Sequence, residues 1–461
     1  MGYSPGDGRG PADMPPFGAR DLIRNRDTAF RYTAVAGLQM GQVLPASFIS
    51  LFLPVIFREQ GLALDMYWVF ALPAIPTWLR PLWAPLVDRV GSPVLGMRRS
   101  WFIPCTIFGA LAYFSLSAFS PTLDNLTLII TLLVVKSTIM TTQDIAIDGY
   151  MVENIANHER SVGAAVLDIG RNVSRFVSMV GIPLIYIEWG WTAAVLTAST
   201  LLVLFSLPGI LRPEPPRPAA FQRQRPSLLR LLRREDSRYV YPMCFVIALT
   251  GGMIPTLYPT YLSDLGFSIQ ELAFVLGPAS LIGTLIGATA TSWCLRRIGY
   301  KSTMLIAAAG VLMAVIPIVW MGSLHQPTFA IVFLVTLNGL ALPSFLDVTF
   351  QAARLKWASK TQAATDYTTQ IVTMMAGVSL STAVGGLLAE HLGWFYYFLL
   401  AGTLISATCF LLYAVYDRIE DLVDARESRE HSAEGWLTDP LPSPHSTSPT
   451  EGENPYGTRR L

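Results

Sequence analysis

The feature that most constrains this chain is its series of long apolar segments. A helix that crosses a bilayer needs about 20 mainly apolar residues, since each residue rises about 1.5 Å through a hydrocarbon core about 30 Å thick. By that rule segments fall at 31–57, 66–87, 101–120, 125–149, 162–187 and 191–211. After a break, six more follow at 240–263, 269–294, 302–322, 327–349, 364–389 and 394–416. Apolar stretches of this length span lipid only as helices, which satisfy every backbone polar group internally. The expected fold is therefore an all-α integral membrane protein of twelve transmembrane helices. Composition agrees. Of 461 residues, 52% are hydrophobic and 14% charged, against about 25% charged in a soluble domain. The net charge of +1 excludes a nucleic-acid binder, which needs a basic excess.

Loop charge predicts the orientation. Arg9, Arg20, Arg24 and Arg26 lie in the N-tail (1–29), and Arg89, Arg98 and Arg99 follow the second span. Arg296, Arg297 and Lys301 follow the eighth, and Arg354, Lys356 and Lys360 the tenth. The opposite loops are nearly bare, Arg58 being the clear exception. Both termini are expected to be cytoplasmic. No signal peptide is expected, because residues 1–29 lack a short apolar core before a cleavage site. The break at 212–239 reads as a basic cytoplasmic linker. Its RPEPPRP run cannot be helical, and its SLLRLLRRE run reads as a short amphipathic helix that either lies on the anionic leaflet or stays solvated. The tail 417–461 reads as cytoplasmic and mostly disordered, polar and Pro/Ser-rich from about 427. Cys105, Cys244, Cys294 and Cys409 lie in apolar stretches without metal-type spacing, so no metal or cofactor is expected.

The chain reads as two related halves, 30–211 and 240–416. The fifth span opens ERSVGAAVLDIGRNV and the eleventh SKTQAATDYTTQIV, pairing Asp168 with Asp366. The fourth span ends with Asp148 and the tenth with Asp347. Basic turns follow the second and eighth spans. A six-plus-six parallel repeat of this kind resembles the major facilitator fold.

Ionisable groups within spans are costly, about 2.5–3.5 kcal/mol each on insertion scales, and mark function or latches. The first half carries Arg80, Lys136, Arg171 and Arg175 against Asp144, Asp148 and Asp168. The second carries Asp347 and Asp366, and by sequence no deep cation. Cations left over near the midplane would attract an anion, and lone carboxylates can carry protons. The expected substrate site is Gln39, Gln42, Lys136, Gln143, Arg171, Arg175 and Tyr258. Proton coupling is expected at Asp144, Asp168, Asp347 or Asp366. Arg80, Asp88, Arg89, Arg98, Arg99 and Asp148 are expected to gate the cytoplasmic side. The alternative for all of these charges is a set of structural ion clusters, and for Tyr258 an interfacial aromatic belt.

WAPLVDR with GMRRSW, then TTQDIAIDGYMVE, then ERSVGAAVLDIGR, resembles the AmpG-like branch of the major facilitator superfamily. AATDYTTQ resembles the matching segment of the RhtX/FptX siderophore permeases in that branch. The resemblance implies proton-linked uptake at the inner membrane, and the chain is expected to act as a monomer on a small anionic substrate. It carries two substrate classes: ferric siderophores, favoured by the twelve-span count, and anhydromuropeptides, whose permease tends to carry two extra helices. A channel or a membrane-embedded enzyme is the rival. No HExxH, interfacial GxSxG or His/Cys cluster supports an enzyme.

Overall fold

The computed structural model describes residues 26–92, 94–154, 170–214, 233–324, 327–357 and 363–438. The helices are α1 (Arg26–Glu59), α2 (Ile75–Leu79), α3 (Ala84–Arg89), α4 (Arg99–Ser117), α5 (Leu126–Asn154), α6 (Ile182–Leu211), α7 (Ser237–Asp264), α8 (Ile269–Gly322), α9 (Phe329–Trp357) and α10 (Ala363–Thr438). Nine stretches of the described residues are long and apolar enough to cross a membrane. Two of them, Gly170–Leu211 and Asp366–Arg426, are helix pairs joined at Gly190 and Gly393. Many large apolar side chains point outward, among them Phe108, Phe114, Leu285, Met313 and Ile316. That pattern suits a surface whose solvent is lipid.

The expected second span is the least regular part. It runs as a 3-10 turn over Leu64–Ala74, then α2, a second 3-10 turn over Arg80–Leu82, and α3. Pro73, Pro76, Pro81 and Pro85 lie along it, and each removes a backbone donor from a continuous α-helix.

Internal duplication appears in the turns. The positive-φ glycines form three pairs, Gly61 with Gly266, Gly96 with Gly299, and Gly190 with Gly393. Each pair is separated by roughly 200 residues, one copy per half, as a parallel repeat requires. These turns correct the register expected for the carboxylates. Asp347 stands as far before Gly393 as Asp144, not Asp148, stands before Gly190. Asp366 stands further from Gly393 than Asp168 does from Gly190, so that pairing is out of register.

Helices in lipid gain nothing from burying apolar surface against one another, so close approach depends on small residues. In the second half a Cβ at Gly377 of α10 would lie 2.5 Å from the Phe245 carbonyl oxygen of α7. Gly37 of α1 meets the Phe205 carbonyl of α6 in the same way, more closely still. Gly377→Val is therefore expected to force α7 and α10 apart. Thermal unfolding in detergent should show a loss of about 2 kcal/mol or more, the cost of overpacking against backbone that cannot yield. An unchanged melting curve would contradict this packing.

Hydrogen bonds and an ion pair join the halves at one end. At the far end, away from Arg26 and Thr438, Arg58 at the close of α1 reaches Asp264 at the close of α7. Glu390 of α10 accepts from the Leu64 amide. At the terminal end, the ion pairs among the described residues stay within one half. Asp27 pairs with Arg212 at 3.6 Å, Arg234 with Asp236 at 2.7 Å, and Lys301 with Asp417 at 2.5 Å.

The C-terminal segment departs from expectation. The twelfth span was expected to end at 416, yet α10 continues to Thr438. Ile419 and Val423 are buried there, and Glu420 holds Lys356 and the Trp357 indole. Arg426 reaches Asp236 and the Trp357 carbonyl. The polar tail after 427 begins as helix because 417–426 packs across the second half. Residues 439–461, the N-tail before 26 and the SLLRLLRRE run lie outside the described residues.

Candidate functional site

The first half contributes a polar face. Gln42 of α1 donates to Gln143 of α5 (3.1 Å) and to the Met140 carbonyl (3.3 Å), and Gln143 donates to Thr106 of α4 (2.6 Å). One turn earlier on α1, Gln39 accepts from Arg171 at 3.2 Å. Arg80, only 3% exposed, donates to Asp144 at 2.7 Å and lies 3.9 Å from Asp148. Asp144 and Asp148 sit one turn apart on α5, so one guanidinium serves two carboxylates on one face. Arg171 adds a second positive field to both. The irregular backbone between α2 and α3 delivers Arg80 to this face.

Sequence reasoning located most of these residues but misjudged several settings. Gln39, Gln42, Gln143 and Arg171 do converge, with Gln143 fully buried. Lys136, expected beside an aqueous cavity, is 9% exposed, its ammonium 5.4 Å from the Tyr113 ring. Protein encloses it in this conformation. Arg175 is exposed, on the segment leading into the π-turn Val177–Gly181. Arg98 and Arg99 bind Glu214 through their backbone amides, at 2.9 and 3.1 Å, and Arg99 donates to the Ile210 carbonyl. These contacts lie within the first half. Arg89 is exposed. Asp168 and the side chain of Asp88 lie outside the described residues.

In the second half the two carboxylates differ sharply. Asp366 is not a lone carboxylate. It is 1% exposed and accepts from Arg234 (2.9 Å) and Tyr241 (2.8 Å). Asp236 joins the same cluster through Arg234 and Arg426. Burial opposes its charge, but the two guanidinium groups outweigh burial and hold that carboxyl below its ordinary range. Asp347 presents open surface although protein surrounds it on most sides, and it makes no ion pair among the described residues. The charges acting on it are Arg354 of its own helix and Arg175 of the first half.

A cavity with about 530 Å³ of empty space, part of it open, lies between the halves, bounded by Leu51, Met179, Tyr258, Leu276, Ser280 and Leu340. Its walls are mainly apolar. Tyr258 is 4% exposed and shares a 2.8 Å hydrogen bond with Thr336. It belongs to the interior, not to an interfacial belt.

Sequence reasoning missed two groups. The far-end contacts of Asp264, Glu390 and Trp394 were not anticipated, although the isolated Arg58 signalled a partner. Arg354 was assigned to a loop as a topogenic charge, yet it is 5% exposed. The second half therefore does hold a buried cation near the end of the tenth span.

A bundle of membrane-length helices with repeated turns and buried charge on its inner faces fits a membrane carrier. The model of the Major Facilitator Superfamily matches residues 35–345, and the chain belongs to that family. Its curated relatives place it in the AmpG-like branch. It is 23% identical to putative transporter AmpG 3 of Rickettsia prowazekii over 405 residues, 82% of this chain and 94% of the relative. It is 25% identical to the anhydromuropeptide permease of Escherichia coli K12 over 271 residues, 57% of this chain and 55% of that protein. Among solved structures, a POT family transporter in complex with 5-aminolevulinic acid aligns with TM-score 0.65 at 13% identity, covering 88% of this chain and 99% of that one. The nucleoside transporter NupG aligns with TM-score 0.61 at 14% identity, covering 84% of this chain and 98% of that one. At such identity these structures speak for the fold alone.

Proposed function

We propose that the chain is a twelve-span, proton-coupled importer of an anionic solute in the inner membrane, with both termini cytoplasmic, working as a monomer. The solute class best supported is the anhydromuropeptide, because the permease of that name is among its relatives. On this reading the conformation is open to the cytoplasm and sealed outside by Arg58, Asp264 and Glu390. Gln39, Gln42 and Arg171 face the polar part of the solute, and the apolar cavity at Tyr258 takes its less polar part. The observation that carries the coupling is Asp347. It is the span carboxylate with open surface and no ion pair among the described residues, so it can exchange a proton without breaking a salt bridge. Asp366 keeps the end of the second half together instead.

Uptake of labelled anhydromuropeptide and labelled ferric siderophore by a deletion strain and its complement tests the reading. Muropeptide uptake should return with the complement and collapse with a protonophore. Asp347→Asn should lower it at least about tenfold, the loss of one coupling group acting in every cycle. Siderophore uptake alone would move the chain to the RhtX/FptX class. Asp347→Asn uptake equal to wild type and indifferent to protonophore would end the proton role. In proteoliposomes a carrier concentrates solute with an imposed proton gradient, whereas a channel only equilibrates it.

A further inference from the structure

Arg354 occupies an unusual setting. Its guanidinium lies near two rings, 5.4 Å from that of Phe350 and 5.6 Å from that of Tyr367. Nε and Nη1 are buried with no acceptor. Gln370 of α10 is fully buried, and neither end of its amide has a partner. Tyr367, whose ring lies beside Arg354, stands one turn before Gln370 on α10. The Tyr241–Asp366 hydrogen bond fixes α10 against α7. One turn further along both helices, Gln370 comes level with Cys244, and Cys244 lies within the fields of both Arg354 and Asp366. Neither nearby carboxylate satisfies Arg354. Asp366 is held by Arg234 and Tyr241, and Asp347 lies two turns back along α9.

Buried donors without acceptors are expensive, and proteins keep them mainly where a ligand completes them. Rings beside a guanidinium stabilise its charge without using its N–H groups. The donors in its plane remain free, and that fork matches the two oxygens of a planar carboxylate. We propose that Arg354 and Gln370 form a carboxylate-binding site in the second half, between α7, α9 and α10, for the acid group of the transported solute. This rests on the carrier reading and adds to it an anion-recognising group in the second half.

The test uses purified full-length protein in detergent and a simple probe, sodium propionate, against its uncharged isostere propionamide at matched ionic strength. Propionate should raise the melting temperature of wild type and propionamide should not. Arg354→Met and Gln370→Leu should each abolish the propionate shift and weaken propionate binding at least about tenfold, the worth of one charge-assisted hydrogen bond. Both variants should melt at or above the wild-type temperature without probe, because an apolar side chain replaces an unpartnered polar one. A propionate shift that persists in Arg354→Met, no shift in wild type, or a clear drop in probe-free stability would overturn the proposal. These readouts need no transport, so they stand apart from the uptake assay that tests the carrier reading.

Discussion

Arg80→Met should destabilise the protein by about 3 kcal/mol, the low end for removing one partner of a buried ion pair. The side chain is 4% exposed, and its loss leaves Asp144 and Asp148 facing one another with Arg171 as the remaining nearby cation. Two carboxylates one turn apart repel each other, so the penalty goes beyond a lost hydrogen bond. The low end applies because Asp144 keeps 31% of its side chain exposed and can rehydrate. Arg80→Met with Asp144→Asn should recover most of the loss, since no unpaired charge then faces Asp148. Thermal unfolding of the wild type, both single variants and the double variant forms a cycle that isolates the pair. If Arg80→Met alone melts like wild type, or the double variant is no better than the single, the triad is not holding α5 to the broken segment.

Much of this architecture can be read from residue order. Span length, loop charge and the repeat of motifs follow from the energetics of lipid, which leave a chain few choices. The polar cluster was legible for the same reason. Gln39, Gln42, Gln143, Asp144 and Arg171 are costly in apolar helices, so their presence identifies the inner face. What could not be read is the pairing between helices. Asp347 and Asp366 look alike in sequence, each a carboxylate in an apolar span. Only the fold brings Arg234 and Tyr241 to Asp366 and leaves Asp347 without an ion pair among the described residues. Arg354 looked like one of three loop cations, because a count of apolar residues ends the tenth span before it. In the structure α9 runs on to Trp357, and Phe350 and Tyr367 shelter its charge. The continuation of α10 to Thr438 was obscured likewise. Its charged residues look like a solvated tail until Lys301 and Lys356 are seen beside Asp417 and Glu420, and Asp236 beside Arg426.

The far end yields the second prediction. Arg58 donates to both oxygens of Asp264, at 2.8 and 3.0 Å, and the Trp394 indole donates to the same carboxylate at 3.0 Å. Close by, Tyr67 donates to Thr260 across the halves, and Gly386 packs so tightly on the Leu64 carbonyl oxygen that a Cβ there would collide with it. A carrier must break this seam once per cycle, so its strength sets how long the far end stays shut. The ion pair is bidentate but a quarter exposed on the arginine side, which places it near 1–1.5 kcal/mol, at or just above the range for surface pairs. Asp264→Ala should therefore raise the far-end-open population about tenfold. Spin labels at Glu59→Cys and Ser263→Cys would read that population by electron–electron distance, since the four native cysteines are buried. Wild type should give mainly the short distance and Asp264→Ala a longer second one. The swap Arg58→Asp with Asp264→Arg should return the short distance, because it restores the charge pair with its partners exchanged. Identical distance distributions in wild type and Asp264→Ala would mean that the seam is held by the close packing of Gly386 on Leu64, and that the charge Arg58 places on this otherwise bare face is not the latch.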